Sequence, residues 1–134
     1  MAAETINEVV YEHLLNNVNF NATFDKLAYI INESTVKNNY GVIFMVDDPK
    51  DYEVLCPGDQ GQARFQCETY NRSFMKGINA RKVFQGAMRA LEATVTDDFN
   101  VWKVKTLNIS DPSDKIQGLF AFSFECIVSW ELDT

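Results

Sequence analysis

Cysteine, histidine and basic charge are all scarce in this 134-residue chain, and each scarcity removes a class of function. The three cysteines, Cys56, Cys67 and Cys126, are odd in number and not closely paired, which argues against a disulfide framework. Cys67 and Cys126 fall inside strand-like alternation, where a thiol behaves as a small apolar residue. The N-terminal MAAETINEVV has no basic region followed by an apolar core, so no secretory signal is expected and the thiols suit a reducing, intracellular setting. His13 is the only histidine. Without a second histidine or a Ser or Cys in a nucleophile elbow, it is expected to be a surface or boundary residue of the first helix rather than part of a triad or zinc site. Twelve Lys and Arg stand against 19 Asp and Glu, a net charge of −7. That balance argues against a grip on nucleic acid, though not against a surface past which DNA slides. No apolar run approaches the ~20 residues of a membrane span. Neither GxxxxGK[ST] nor GxGxxG occurs, so nucleotide binding is not expected. Four N-x-S/T triplets, at Asn21, Asn32, Asn71 and Asn108, are read as chance matches in an Asn-rich chain.

What the chain does have is pattern. Its 46% hydrophobic content suits a globular protein, and residues 1–134 are read as a single domain. From Gly118 to Leu132, Phe120, Phe122, Phe124, Cys126, Val128, Trp130 and Leu132 alternate with Leu119, Ala121, Ser123, Glu125, Ile127, Ser129 and Glu131. Period-two alternation of this length predicts a long terminal strand whose aromatic side must be covered. Thr5 and Glu8 form a capping box ahead of Ile6, Val9, Val10 and Leu14, predicting a helix over 5–17 that Asn16, Asn17, Asn19 and Asn21 end in a polar turn. Residues 24–33 read as a strand or a short helix, with strand preferred, since short apolar runs are not decided by period alone; strands are predicted over 40–46, as a hairpin of 52–56 with 63–70, and over 102–109. The last alternates Trp102, Val104 and Thr106 against Lys103, Lys105 and Leu107. Residues 94–98 and Asp111-Pro-Ser-Asp114 are predicted turns. Ser73 caps a second predicted helix running to about Ala93, with Ala80, Val83, Phe84, Ala87, Met88 and Leu91 as its core face. Helices and strands do not alternate regularly, so the expected class is α+β, a mostly antiparallel β-sheet packed against two α-helices.

No catalytic residue, metal ligand set or cofactor motif emerges, and the chain is not expected to be an enzyme or to carry a cofactor. Asp47, Asp48, Asp51 and Glu53 gather around Pro49, and a solvated loop accounts for them more simply than a cation site. The less bland feature is basic. Arg72, Lys76, Arg81, Lys82 and Arg89, five of the twelve cations, crowd one stretch of an acidic protein, with Arg81, Lys82, Gln85 and Arg89 drawn as the polar face of the helix. Phe74 and Ile78 fall on that polar side, so either Gly77 distorts the first turn or they face a partner. This segment and the acidic loop are candidate interface patches, since complementary charge steers encounter and fixes register.

The layout resembles the tail terminator proteins of long-tailed phages. The resemblance is carried by an N-terminal helix, strands, the strand-to-turn ARFQCETYNRS, the Ala- and Arg-rich helix NARKVFQGAMRAL, and a closing strand pair that begins Gly118-Leu-Phe and ends Trp130-Glu-Leu132. It covers nearly the whole chain in pattern. It implies a virion protein, assembled in the host cytoplasm, that caps the tail tube as a hexameric ring, ends elongation and offers a surface for the head. The implied partners are further copies of the chain, the tail tube protein and head or neck connector proteins. DNA would pass through without specific binding, past a lumen that acidic charge would keep from sticking. No cofactor and no membrane contact are implied. A head-to-tail ring needs two different complementary patches on one subunit, and the acidic loop and basic helix are the pair on offer.

Two other readings stay open. One is a neck or tail-completion connector of similar fold. The other is a small-ligand-binding α+β domain with Phe120, Phe122, Phe124, Tyr70 and Trp102 lining a pocket.

Overall fold

The computed structural model describes residues 6–24, 26–28, 40–47, 60–96, 99–112, 115 and 118–132. Two long strands organise it. β3 (Gln60–Asn71) and β6 (Phe120–Leu132) pair antiparallel without interruption, from Gln60 opposite Glu131 to Asn71 opposite Phe120. β2 (Tyr40–Asp47) and β5 (Phe99–Ser110) flank this pair, both antiparallel, and β1 (Lys26–Ala28) and β4 (Thr94–Thr96) end the sheet. The spatial order is β1-β2-β3-β6-β5-β4, with β1 parallel to β2 and every other pair antiparallel. The expected α+β class with a mostly antiparallel sheet is the class observed.

Period-two alternation explains the central pair. Ala63, Phe65, Cys67 and Thr69 on β3, and Phe122, Phe124, Cys126, Val128 and Trp130 on β6, are all buried. α3 (Phe74–Arg89) packs across β3, β6 and β5, while α1 (Ile6–Asn16) and α2 (Val18–Thr23) pack on α3. The aromatic side of β6 is thus the covered inner wall. A relay of rings ties the layers together. Phe20 and Phe24 stack at 4.4 Å, Phe84 meets them edge-on at 5.1 and 5.5 Å, and Phe124 receives Phe84 at 5.2 Å. Burying one such side chain contributes about 1.5–3 kcal/mol. The edge-on geometry of each pair adds about 0.5–1.5 kcal/mol.

Several boundaries differ from those predicted, each for a physical reason. The Asn-rich stretch does not simply end the first helix. The Asn17 side chain accepts the Phe20 amide at 2.8 Å and caps α2, which buries Phe20. Among the described residues the helix layer therefore has three members where two were predicted. α3 stops at Arg89, short of Ala93, which takes φ of +66° in the turn into β4. Residues 94–96, predicted as turn, pair with Val101, Asn100 and Phe99 as a short hairpin strand. Thr5, most of the 24–33 segment and the 52–56 hairpin arm lie outside the described residues.

The strand over 102–109 departs from its predicted phase at its first residue. Val101 pairs with Trp130 and Lys103 with the next residue, Ser129, so β5 carries one extra residue there. The buried positions are Phe99, Val101 and Val104, and Trp102 is 54% exposed. Of the predicted face of Trp102, Val104 and Thr106, the last two hold, opposite Val128 and Cys126 on the buried side, while the bulge turns Trp102 out. A second bulge lies between Leu107 and Ser110, where Asn108 takes φ of +53°, a conformation Asn tolerates better than most residues. The five aromatics drawn as a pocket lining do not converge. Phe122 and Phe124 are core, Trp102 is exposed, and Tyr70 alternates out of the buried face of β3.

Candidate interaction surfaces

The basic segment does not form one face. Along α3 the buried stripe is Gly77, Ala80, Arg81, Phe84, Ala87 and Met88. Arg81 belongs to that stripe and is 6% exposed. Its Nε donates to Asp111 Oδ1 at 2.7 Å, its Nη2 to Asp111 Oδ2 at 3.3 Å, and its Nη1 to Gln85 Oε1. A guanidinium taken out of water is tolerable only with such bidentate pairing. The polar face drawn through Arg81 is corrected accordingly: Arg81 is an internal tie between α3 and the end of β5. Asp111, expected in a solvated turn, is its partner, with its side chain 39% exposed. Lys82 and Arg89 are exposed and, seven residues apart, lie within about 20° of one another around the helix. Lys76 is exposed on the other flank, about 120° from Lys82. Arg72 is exposed just before the helix, beside Gly118.

Phe74 and Ile78 are explained without a distorted helix. The Gly77 amide donates to Ser73 O at 2.9 Å, so the first turn is regular. Gly77 instead marks a close crossing, for a Cβ built there would stand 2.0 Å from Phe122 Cε2. The crossing drops the start of α3 onto the start of β6. The Phe74 ring sits 5.3 Å from Phe120 and 5.6 Å from Phe122, and Ile78 is half-buried one turn on.

The sheet face away from α3 is polar and cross-linked. Arg64 on β3 donates through Nε and Nη2 to the two carboxylate oxygens of Glu125 on β6, at 3.2 and 2.9 Å. Asn108 on β5 donates to the same carboxylate. Arg64 first, then Asn108, hold the Glu125 carboxyl below its ordinary pKa, against a smaller opposing push from burial. Gln62 reaches Ser129 at 3.4 Å and Asn100 reaches Glu131 at 3.1 Å. The network was not read from the sequence, because cross-strand neighbours are set by register. The exposed Trp102 had a signal. The apolar spacing Phe99, Val101, Val104 is two and then three, which betrays an inserted residue.

Of the acidic candidates, Asp47 is described as the backbone end of β2, paired with Arg64 across a register shift. Asp48, Asp51 and Glu53 lie outside the described residues. His13 Nε2 lies 2.8 Å from Ala87 O, a helix-to-helix tie at a half-buried boundary. Cys67 and Cys126 are free and buried, and burial pushes the Cys67 thiol well above its ordinary pKa. Among the described residues no three His, Cys, Asp or Glu side chains gather as metal ligands, and no helix is long and apolar enough to cross a membrane. An open groove of about 360 Å³ runs between α2 and α3, lined by small and neutral side chains including Asn17, Thr23 and Gly86.

No family model and no curated protein sequence matches the chain. In three dimensions it is similar to a chain from the virion of a native gene transfer agent (GTA) particle. The TM-score is 0.68, the identity 12%, and the alignment covers 97% of each chain. At that identity the likeness is one of fold, shared over nearly the whole of both chains.

Proposed function

We propose that this protein is a structural subunit of a phage-like virion, and that it caps the tail tube as a six-membered ring. The observation that carries the reading is the end-to-end likeness of fold to a chain of an assembled GTA virion. The sequence layout adds to it independently, through the resemblance to tail terminators. In this role the chain acts by shape rather than by chemistry. A ring seated on the last tube layer replaces the surface on which the next layer would form. Its outer side then presents a new surface to the head or neck. No residue has to move a proton or hold a cofactor, and the protein is not an enzyme. The net charge of −7 on each subunit repels DNA phosphates and keeps the passage of DNA non-adhesive.

Negative-stain imaging of the purified protein, alone and mixed with tail tubes, tests the reading. Sixfold rings free in solution or at tube ends, together with arrest of tube extension, are expected. A protein that stays monomeric and leaves tube ends bare and growing overturns it.

A further inference from the structure

The bulge at the start of β5 leaves a flank of apolar and basic side chains in water. Trp102 is turned out and 54% exposed. Lys103 and Lys105 stand exposed beside it, opposite Ser129 and Ile127 on the sheet face away from α3. The carboxylates nearest in the sheet are engaged elsewhere. Glu125 accepts from Arg64 and Asn108, Glu131 accepts from Asn100, and Glu92 accepts the Val104 amide. Among the described residues neither lysine enters an ion pair. A tryptophan left in water beside two such cations marks a surface for a partner that offers acids and an apolar side chain.

We infer that this flank receives the outer face of α1 from a second copy of the chain. The inference rests on the ring reading and names its contact. α1 buries Ile6, Val9, Val10 and Leu14. On the opposite side the exposed Glu8, the half-buried Glu12 and Leu15, which is 44% exposed, fall within about 60° of one another around the helix. Glu8 and Glu12 are about 6 Å apart along the axis, and Leu15 is about 4.5 Å further on. Lys105 and Lys103 are about 6.6 Å apart along β5, and Trp102 comes next in line. Laid antiparallel, helix against strand, the two series match acid to base twice and then leucine to tryptophan. Geometry makes the contact one between copies. Tyr11 ties α1 to β1 by donating to Leu27 O at 3.3 Å, and β1 and β5 are four strand spacings apart, about 19 Å. The two surfaces thus sit on opposite flanks of the subunit, and joining one to the other is a head-to-tail contact, the kind that closes into a ring.

Sedimentation velocity of the full chain, with negative-stain imaging, tests this. Lys103→Glu/Lys105→Glu and Glu8→Lys/Glu12→Lys are each expected to weaken self-association about tenfold or more. The first pair is exposed, so its reversal is expected to leave the melting temperature unchanged, and glutamate guards a strand edge as lysine does. Trp102→Ser and Leu15→Ser are expected to weaken association with no change of charge, and Leu15→Ser stands in for the α1 reversal should that lower the melting temperature. An equimolar mixture of the two reversed proteins, and a chain carrying all four reversals, are expected to associate again, because each acid then faces a base. Reversals that associate like wild type, a mixture and a fourfold variant that both stay apart, or a wild type that never self-associates in solution or on tube ends overturns the proposal. Lysine reversals that form normal rings but no longer seat on tube ends give this flank to the tube protein and overturn it too. Sixfold rings that ignore the reversals leave the ring reading standing and remove this contact. Association lost and restored as expected, but without rings, does the opposite.

Discussion

Replacing Gly77 with alanine separates two effects that point in opposite directions. Helix propensity favours alanine in a helix interior by about 1 kcal/mol. The packing here forbids it. An added Cβ would lie 2.0, 2.5 and 2.7 Å from Cε2, Cζ and Cδ2 of Phe122. Phe122 is fully buried and cannot swing away, with Phe74 tilted against it at 5.6 Å. Overpacking of this kind costs about 1–3 kcal/mol, and an overlap this deep belongs at the upper end. The expected net loss is therefore about 2 kcal/mol, which for a domain of this size lowers the melting temperature by about 7 °C. Gly86 on the same helix supplies the control, because a Cβ there meets nothing within 4 Å. Gly86→Ala should gain about 1 kcal/mol and raise the melting temperature by 3–4 °C or so. Thermal and urea unfolding followed by circular dichroism reads both. A Gly77→Ala protein as stable as wild type, or two variants that shift the same way, would refute the close crossing of α3 over β6.

Two further perturbations address the polar ties. Asp111→Ala strands the buried Arg81 guanidinium; discounting the 3–5 kcal/mol of a fully buried pair for the partly exposed aspartate gives a loss of about 2 kcal/mol in urea unfolding, and Arg81→Met in the same chain should recover part of it. For Glu125, whose folded pKa is depressed, the stabilisation from Arg64 and Asn108 is present above the ordinary carboxyl value of about 4.3 and is lost as pH falls through the lower folded value. Arg64→Gln should therefore be less stable than wild type near neutral pH, by about 1 kcal/mol or less for so exposed a pair, with the gap closing in acid; a gap independent of pH would contradict the assignment.

How far each feature could be read from the sequence depends on the range of its cause. β6 was legible because thirteen residues obey one period, and no local accident blurs it. The core face of α3 was legible for the same reason. α2 was not, because asparagine both ends and begins helices, and only the side chain of Asn17 turning towards Phe20 decides between them. Arg81 lay four residues beyond Gly77 and three before Phe84, already within the buried stripe. Its charge argued for solvent, and the aspartate that makes burial possible stands thirty residues on. The candidate patch was legible as an anomaly. Phe74 and Ile78 sat on a side of the helix that pattern alone could not explain, and the crossing at Gly77 supplies the reason.

The outer edge of β5 bears on how such a protein assembles. β4 pairs only with Phe99 to Val101, so among the described residues no strand pairs with the edge from Trp102 to Ser110. A bare edge of that length invites another strand, and addition of strand to strand has no built-in end. This edge is guarded. Two bulges break its line, Lys103 and Lys105 stand exposed along it, and the Glu92 carboxylate already accepts the Val104 amide at 3.2 Å. Each device raises the cost of backbone pairing with a neighbour. This bears on the proposed capping role, because a subunit that ends growth has to suppress its own open-ended modes of association.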